Sequence, residues 1–129
     1  GITMTASLLF RRSRLPQRDR AVFGSHWLAL STEIVTAHGD IDATNADAFT
    51  TYAMGDLTHR GALILDMRGV SFMGLEGFSA LHRISVSCAV AEIHWVIVPS
   101  SAVSRVLGIC DPDGQLPCAG TIQAAIATM

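Results

Sequence analysis

Apolar positions along the chain fall into short runs, each closed by a Gly, Pro or Asp break. Trp27-Leu28-Ala29-Leu30 and Ile34-Val35-Thr36-Ala37 predict two short strands, joined as a hairpin because few residues separate them. Gly39-Asp40-Ile41-Asp42 breaks the pattern. A helix is predicted from about Thr44 to Leu57, capped by Asp42 or Thr44. Ala62-Leu63-Ile64-Leu65 is apolar throughout and ends in Asp66, which suits a strand buried on both faces. The segment Arg68 to Gly74 reads as a loop, and a second helix is predicted from about Leu75 to Ala89. On it Gly77, Leu81, Ile84 and Cys88 share one face, the one expected to meet the core.

Ile93 to Val98 is a further buried strand, ended by Pro99. A third helix is predicted over Ala102–Leu107, capped by Ser100 or Ser101 and stopped by Gly108. Asp111-Pro112-Asp113-Gly114 is a turn, Leu116-Pro117-Cys118 a short edge strand, and Thr121 the cap of a last helix over Ile122–Thr128. The order β-β-α-β-α-β-α-β-α predicts an α/β fold. Its sheet is mostly parallel, with about five strands, a short N-terminal hairpin and about four helices. Sites in such sheets lie at the carboxyl ends of the strands. Here those ends lead into Gly39–Asp42 and Asp66–Gly74.

Composition narrows the class. With 129 residues, 50% of them hydrophobic and 16% charged, the chain supports one cored domain and is too apolar for a disordered one. No run of about 18 uncharged apolar residues occurs, so no transmembrane helix or membrane association is expected. The run Ala6–Phe10 is too short for a signal-peptide core, and the chain reads as cytoplasmic. Gly1-Ile2-Thr3 ahead of Met4 resembles an expression scar. Residues 1–20 form an Arg-rich lead-in and 21–129 the domain. The lead-in holds five of the nine Arg and one acid, a net +4, against −6 for the remainder. A solvated terminus is the simpler reading, a docking arm for nucleic acid or an acidic partner the alternative. The overall charge of −2 argues against a nucleic-acid binder.

Candidate chemistry is sparse. Asp40 and Asp42 are suited to a cation or to acid/base work, but acids at this spacing commonly cap backbone N–H groups at strand-to-helix turns. Asp66 is expected to bond its own loop. The five His are dispersed, without HxH or HxxH spacing, and Cys88, Cys110 and Cys118 lack a CxxC, so no metal or cofactor is called for. Cys88 reads as a small buried hydrophobe, and Cys110 and Cys118 as free thiols. GxSxG, GxxxxGK[ST] and GxGxxG are all absent, and an enzyme is not expected.

The segment LILDMRGVSFMGLEGF, Leu63–Phe78, resembles the central motif of the STAS domain family of bacterial anti-sigma factor antagonists. In that family a strand ends in Asp, a GV.F loop follows, and Asp-Ser-x-Gly-Leu opens a helix. AHGDIDATNADAF resembles the turn before the family's first helix, and RVLGI with TIQAAI its last third. The resemblance spans roughly residues 27–128. It implies a single STAS-like domain that binds an anti-sigma factor, of serine-kinase type in a typical system, and so releases a sigma factor. The family's phosphoacceptor Ser falls at Leu75 and the preceding Asp at Gly74, so phosphorylation at the expected position is excluded for lack of a hydroxyl. The resemblance and the helical spacing together propose a partner-binding surface of Asp40, Ile41, Asp42, Met73, Gly74, Leu75, Glu76, Ser79 and His82, with an exposed Leu75 beside Met73. The alternative is a STAS-like ligand-sensing or assembly module binding a nucleotide or other small molecule.

Overall fold

The structure is a computed structural model and describes residues 21–28, 31–55 and 60–129. The Arg-rich lead-in, residues 29 and 30 of the first predicted strand, the predicted helix end at Leu57, and His59 lie outside the described residues. Four strands form one sheet in sequence order. Strand β1 (Val22–Trp27) pairs antiparallel with β2 (Thr32–Ile41), and β3 (Ala62–Met73) and β4 (His94–Pro99) follow in parallel. The predicted edge strand at Leu116–Cys118 is a single parallel bridge from Ile97 to Cys118. The Ile97 N–H donates to the Pro117 carbonyl at 2.8 Å, and the Ala119 N–H to the Ile97 carbonyl at 2.8 Å. The α/β class and the N-terminal hairpin stand.

Helices α1 (Ala46–Met54), α2 (Leu75–Ala91) and α3 (Ser101–Cys110) cover one sheet face, and α4 (Ile122–Ala127) covers part of the other. Side chains of alternate strand residues reach opposite faces. Leu63, Leu65 and Met67 therefore join Phe23, Phe49, Leu81 and Ile84 in the main core, while Ile64 joins Ile34, Val96, Val98 and Ala125 in a smaller one. The predicted core face of α2 stands, since Gly77, Leu81, Ile84 and Cys88 are all buried. Ser100 caps α3 by accepting from the Val103 N–H at 3.1 Å, and Thr121 caps α4 by accepting from Ala124 at 3.0 Å.

Four boundaries differ from expectation. The first strand runs over Val22–Trp27 rather than Trp27–Leu30, because its pairing with β2 is fixed by Phe23 in the core, while Trp27 and Leu28 are exposed. The first helix starts two residues late, since Thr44 and Asn45 belong to the turn that precedes it. Gly108 does not stop α3. Nothing crowds it, and the helix runs on to Cys110, where Asp111 and Pro112 end it. The loop expected over Arg68–Gly74 is instead the end of β3, continuing as far as Met73. Two register shifts place one extra β3 residue between the partners of Thr36 and His38, and another between the partners of Gly39 and Asp40. Gly39 sits at φ 90°, a conformation that disfavours a side chain.

Candidate functional site

The carboxyl ends of β2 and β3 meet the N-terminus of α2. The ladder pairs Asp40 with Phe72 and Ile41 with Met73, and the Gly74 N–H then donates to the Ile41 carbonyl at 2.9 Å. The turn after β2 is tied by its own polar groups. Asn45, buried, accepts from the Asp42 N–H at 3.1 Å and donates through Nδ2 to the Asp40 carbonyl at 2.9 Å. The Asp42 carboxylate accepts from the Thr44 N–H at 2.9 Å and from its hydroxyl. Its carbonyl accepts from Asn45 and Ala46 as α1 begins. Asp42 thus does the local bonding expected of an acid at this turn.

Gly77 sets how closely α2 approaches the strands. A Cβ there would stand 2.3 Å from Met73 Cγ and 3.3 Å from Ile41 Cγ2, well inside contact distance. Gly74 is the N-cap of α2, in extended conformation with no side-chain cap. Glu76 folds back over it, with Oε1 2.7 Å from where a Gly74 Cβ would lie, and the Phe72 ring is 3.8 Å from the same point. A carboxylate in the first turn also suits the helix macrodipole. Leu75 is 67% exposed, and Glu76, Ser79, His82 and Arg83 are exposed beside it.

Of the nine residues proposed from sequence, Leu75, Glu76, Ser79 and His82 reach the surface, and Asp40, Asp42 and Gly74 are half-buried around them. Ile41 and Met73 are corrections. Both are core residues, because β3 continues through Met73 and its two extra residues turn Met73 inward against Gly77. Phe72, 44% exposed, takes the surface place expected of Met73. Its signal was hidden, since the bulges break the period-2 pattern that marks an outward strand residue. Asp66 bonds locally, accepting from the Arg68 N–H at 3.1 Å, from Nε at 2.9 Å and from Nη2 at 3.0 Å. Burial raises its pKa, but the Arg68 bonds and charge outweigh burial and hold it below the usual value. Among the described residues no three His, Cys, Asp or Glu converge on a possible metal position, and no helix is long and apolar enough to cross a membrane.

The model of the STAS domain matches residues 30–125. The chain belongs to the STAS domain family. Within that family it is similar to osmosensory protein A of Mycobacterium tuberculosis (strain ATCC 25618 / H37Rv), 28% identical over 97 residues, which are 72% of this chain and 61% of the relative. The chain thus spans less than two thirds of that relative's length. Among solved structures, an anti-sigma factor antagonist from Mycobacterium paratuberculosis superposes with a TM-score of 0.74 at 20% identity, covering 84% of this chain and 92% of the other. The murine Solute Carrier 26 family member A9 anion transporter superposes at 0.70 with 18% identity, covering 95% of this chain and 24% of the transporter. The STAS fold is common to both. In this STAS domain Gly74 alone joins β3 to α2, and Leu75 opens the helix.

Proposed function

We propose that this STAS domain acts in the cytoplasm as an anti-sigma factor antagonist-like regulator. It binds an anti-sigma factor through the rim of Asp40, Asp42, Phe72, Leu75, Glu76, Ser79 and His82, without phosphorylation control at position 75. The observation that carries the reading is Leu75, 67% exposed at the first position of α2, where the family resemblance aligns the phosphoacceptor. A hydrocarbon side chain accepts no phosphoryl group, so binding is not switched by phosphorylation at position 75. A phosphoserine there would add a charge of about −1.5 to −2. Glu76 supplies one permanent charge, and its place in the first turn is already explained by the helix dipole.

The rim mixes exposed apolar side chains with carboxylates. A partner offering an apolar pocket flanked by Arg fits it. Covering the exposed part of Leu75 contributes about 1–2 kcal/mol at the usual rate for apolar area. The mechanism is sequestration of a shared partner, with no chemical step.

The test is capture from the protein's own cytoplasm by the intact chain and by Leu75→Glu, with mass-spectrometric identification. Because Leu75 is exposed, the substitution leaves folding within about 0.5 kcal/mol of wild type. Capture of an anti-sigma factor by wild type, lost in the variant, is the expected result. Equal capture by both moves the interface elsewhere. Failure to capture any anti-sigma factor overturns the antagonist reading and turns attention to a small-molecule ligand.

A further inference from the structure

Strand β1 enters the sheet beside the rim. Val22 pairs with His38, so Ala21, itself fully buried, stands level with Gly39. Gly74 lies two strands across and about three residues further along. At ~4.8 Å between strands and ~3.4 Å per residue, the gap from Ala21 is about 14 Å, roughly four extended residues. Twenty residues precede Ala21, with Arg11, Arg12, Arg14, Arg18 and Arg20 following the apolar Leu8-Leu9-Phe10. That segment carries a net +4 and joins a body of net −6. The surface it adjoins offers Phe72 and Leu75 as exposed apolar groups, with Asp40 opposite Phe72 in the ladder and Glu76 folded over Gly74.

We propose that the chain's own Arg-rich segment, residues 8–20, is an intramolecular occupant of the Asp40–Phe72–Leu75–Glu76 surface. Continuing the β1 ladder by two residues carries Arg20 to the position opposite Asp40, where opposite charges attract across an antiparallel pair. The remaining Arg face Asp42 and Glu76, and Leu8-Leu9-Phe10 has chain enough to reach Leu75. A tether this short holds the segment at an effective concentration on the order of millimolar, so weak contacts suffice. The consequence for the proposed function rests on the reading of this rim as a partner surface. A partner must displace the segment, and it resembles the segment in being basic and apolar. The docking itself is independent of any partner.

A nitroxide on Ser13→Cys in the 129-residue Cys110→Ser/Cys118→Ser chain tests it, read by amide signal loss in two-dimensional NMR. The expected result is at least twofold greater loss at Thr44, Leu75 and Glu76 than at Ser104 and Arg105 of α3. Raising NaCl from about 50 mM to about 500 mM relieves it, since the screening length falls several-fold. Replacing Arg11, Arg12, Arg14 and Arg18 by Ser abolishes it in the same labelled chain, and Glu76→Gln weakens it. Loss spread evenly, loss confined to the far end of the sheet around Glu33 and Arg60, or loss indifferent to salt and to the Arg substitutions overturns the proposal. Since no partner enters, a failed capture experiment leaves this result standing, and a failed NMR result leaves the capture reading standing.

Discussion

Glu33 and Arg60 form an ion pair buried at the opposite end of the sheet from the rim. Glu33 Oε1 lies 2.6 Å from Arg60 Nη1, with side-chain exposures of 14% and 1%. Arg60 Nη2 also donates to the Met54 carbonyl at the end of α1, while its Nε has no partner among the described residues. Replacing Glu33 by Ala strips the counter-charge from a guanidinium that water does not reach. Breaking a buried pair in this way costs about 3–5 kcal/mol. Domains of this kind are stable by only about 5–15 kcal/mol, so the loss takes a large share of the total. With a urea slope of about 2 kcal/mol per molar, the unfolding midpoint falls by about 2 M. Trp95, only 8% exposed on β4, reports the transition by fluorescence. The double variant Glu33→Leu/Arg60→Leu removes both charges and is expected within about 1 kcal/mol of wild type, because ion pair and apolar replacement are close in energy. Eight residues of β2, about 26 Å, separate Glu33 from Ile41, so the folded Glu33→Ala chain captures its partner as wild type does. A loss below about 1 kcal/mol in Glu33→Ala, or a double variant no more stable than the single one, would refute the reasoning.

Three further outcomes follow from named contacts. Gly77→Val drives its Cβ into Met73 and Ile41, so the chain loses about 2 kcal/mol or more and partner capture weakens as the Gly74–Glu76 backbone is displaced. Thermal melts and capture are to be read together, and an unchanged melting temperature contradicts the packing described. The Arg68 bonds hold the Asp66 pKa below its value in the unfolded chain, about 3.9. Its stabilising contribution is therefore full above about pH 4 and disappears as pH falls through the folded value. Asp66→Asn should lower the urea midpoint at pH 6 and converge on wild type at the acid end. A gap that widens on acidification reverses the sign. Burial pushes the Cys88 thiol up to about 11, so iodoacetamide at pH 8 labels exposed Cys118 in the native chain and reaches Cys88 only after unfolding. Rapid native labelling of Cys88, read by mass spectrometry, would put it outside the core.

Legibility followed the kind of signal each element carried. The strand Ala62–Leu65 and the α2 face of Gly77, Leu81, Ile84 and Cys88 were plain, because burial on two faces and a 3.6-residue period leave clear patterns. The caps Ser100 and Thr121 were plain for the same local reason. The end of β3 was not. Arg68, Gly69 and Ser71 look like loop residues, and they are tolerated in a strand because Arg68 and Ser71 face water and the bulges absorb the odd spacing. That hidden extension also misplaced the site, since it exchanged Met73 for Phe72 on the surface. The apolar run Trp27–Leu30 attracted the first strand, although Trp27 and Leu28 are exposed. Hydrophobicity marks burial only on average, and here the ladder with β2 decided the register. Asn45 gave no sequence signal, because its partners are backbone groups on Asp40 and Asp42 that only the turn brings within reach.

The Asn45 tie and the bond from Gly74 to Ile41 fix the backbone of both loops that carry the rim. Ordering a loop at an interface costs free energy that a surface already held in shape does not lose. Association at this rim is then expected to leave the backbone almost unmoved. Its heat-capacity change should reflect the apolar area covered at Phe72 and Leu75, and should fall well short of the change that accompanies coupled folding. Variation in affinity among Leu75 substitutions would accordingly appear in the lifetime of the complex rather than in its rate of formation.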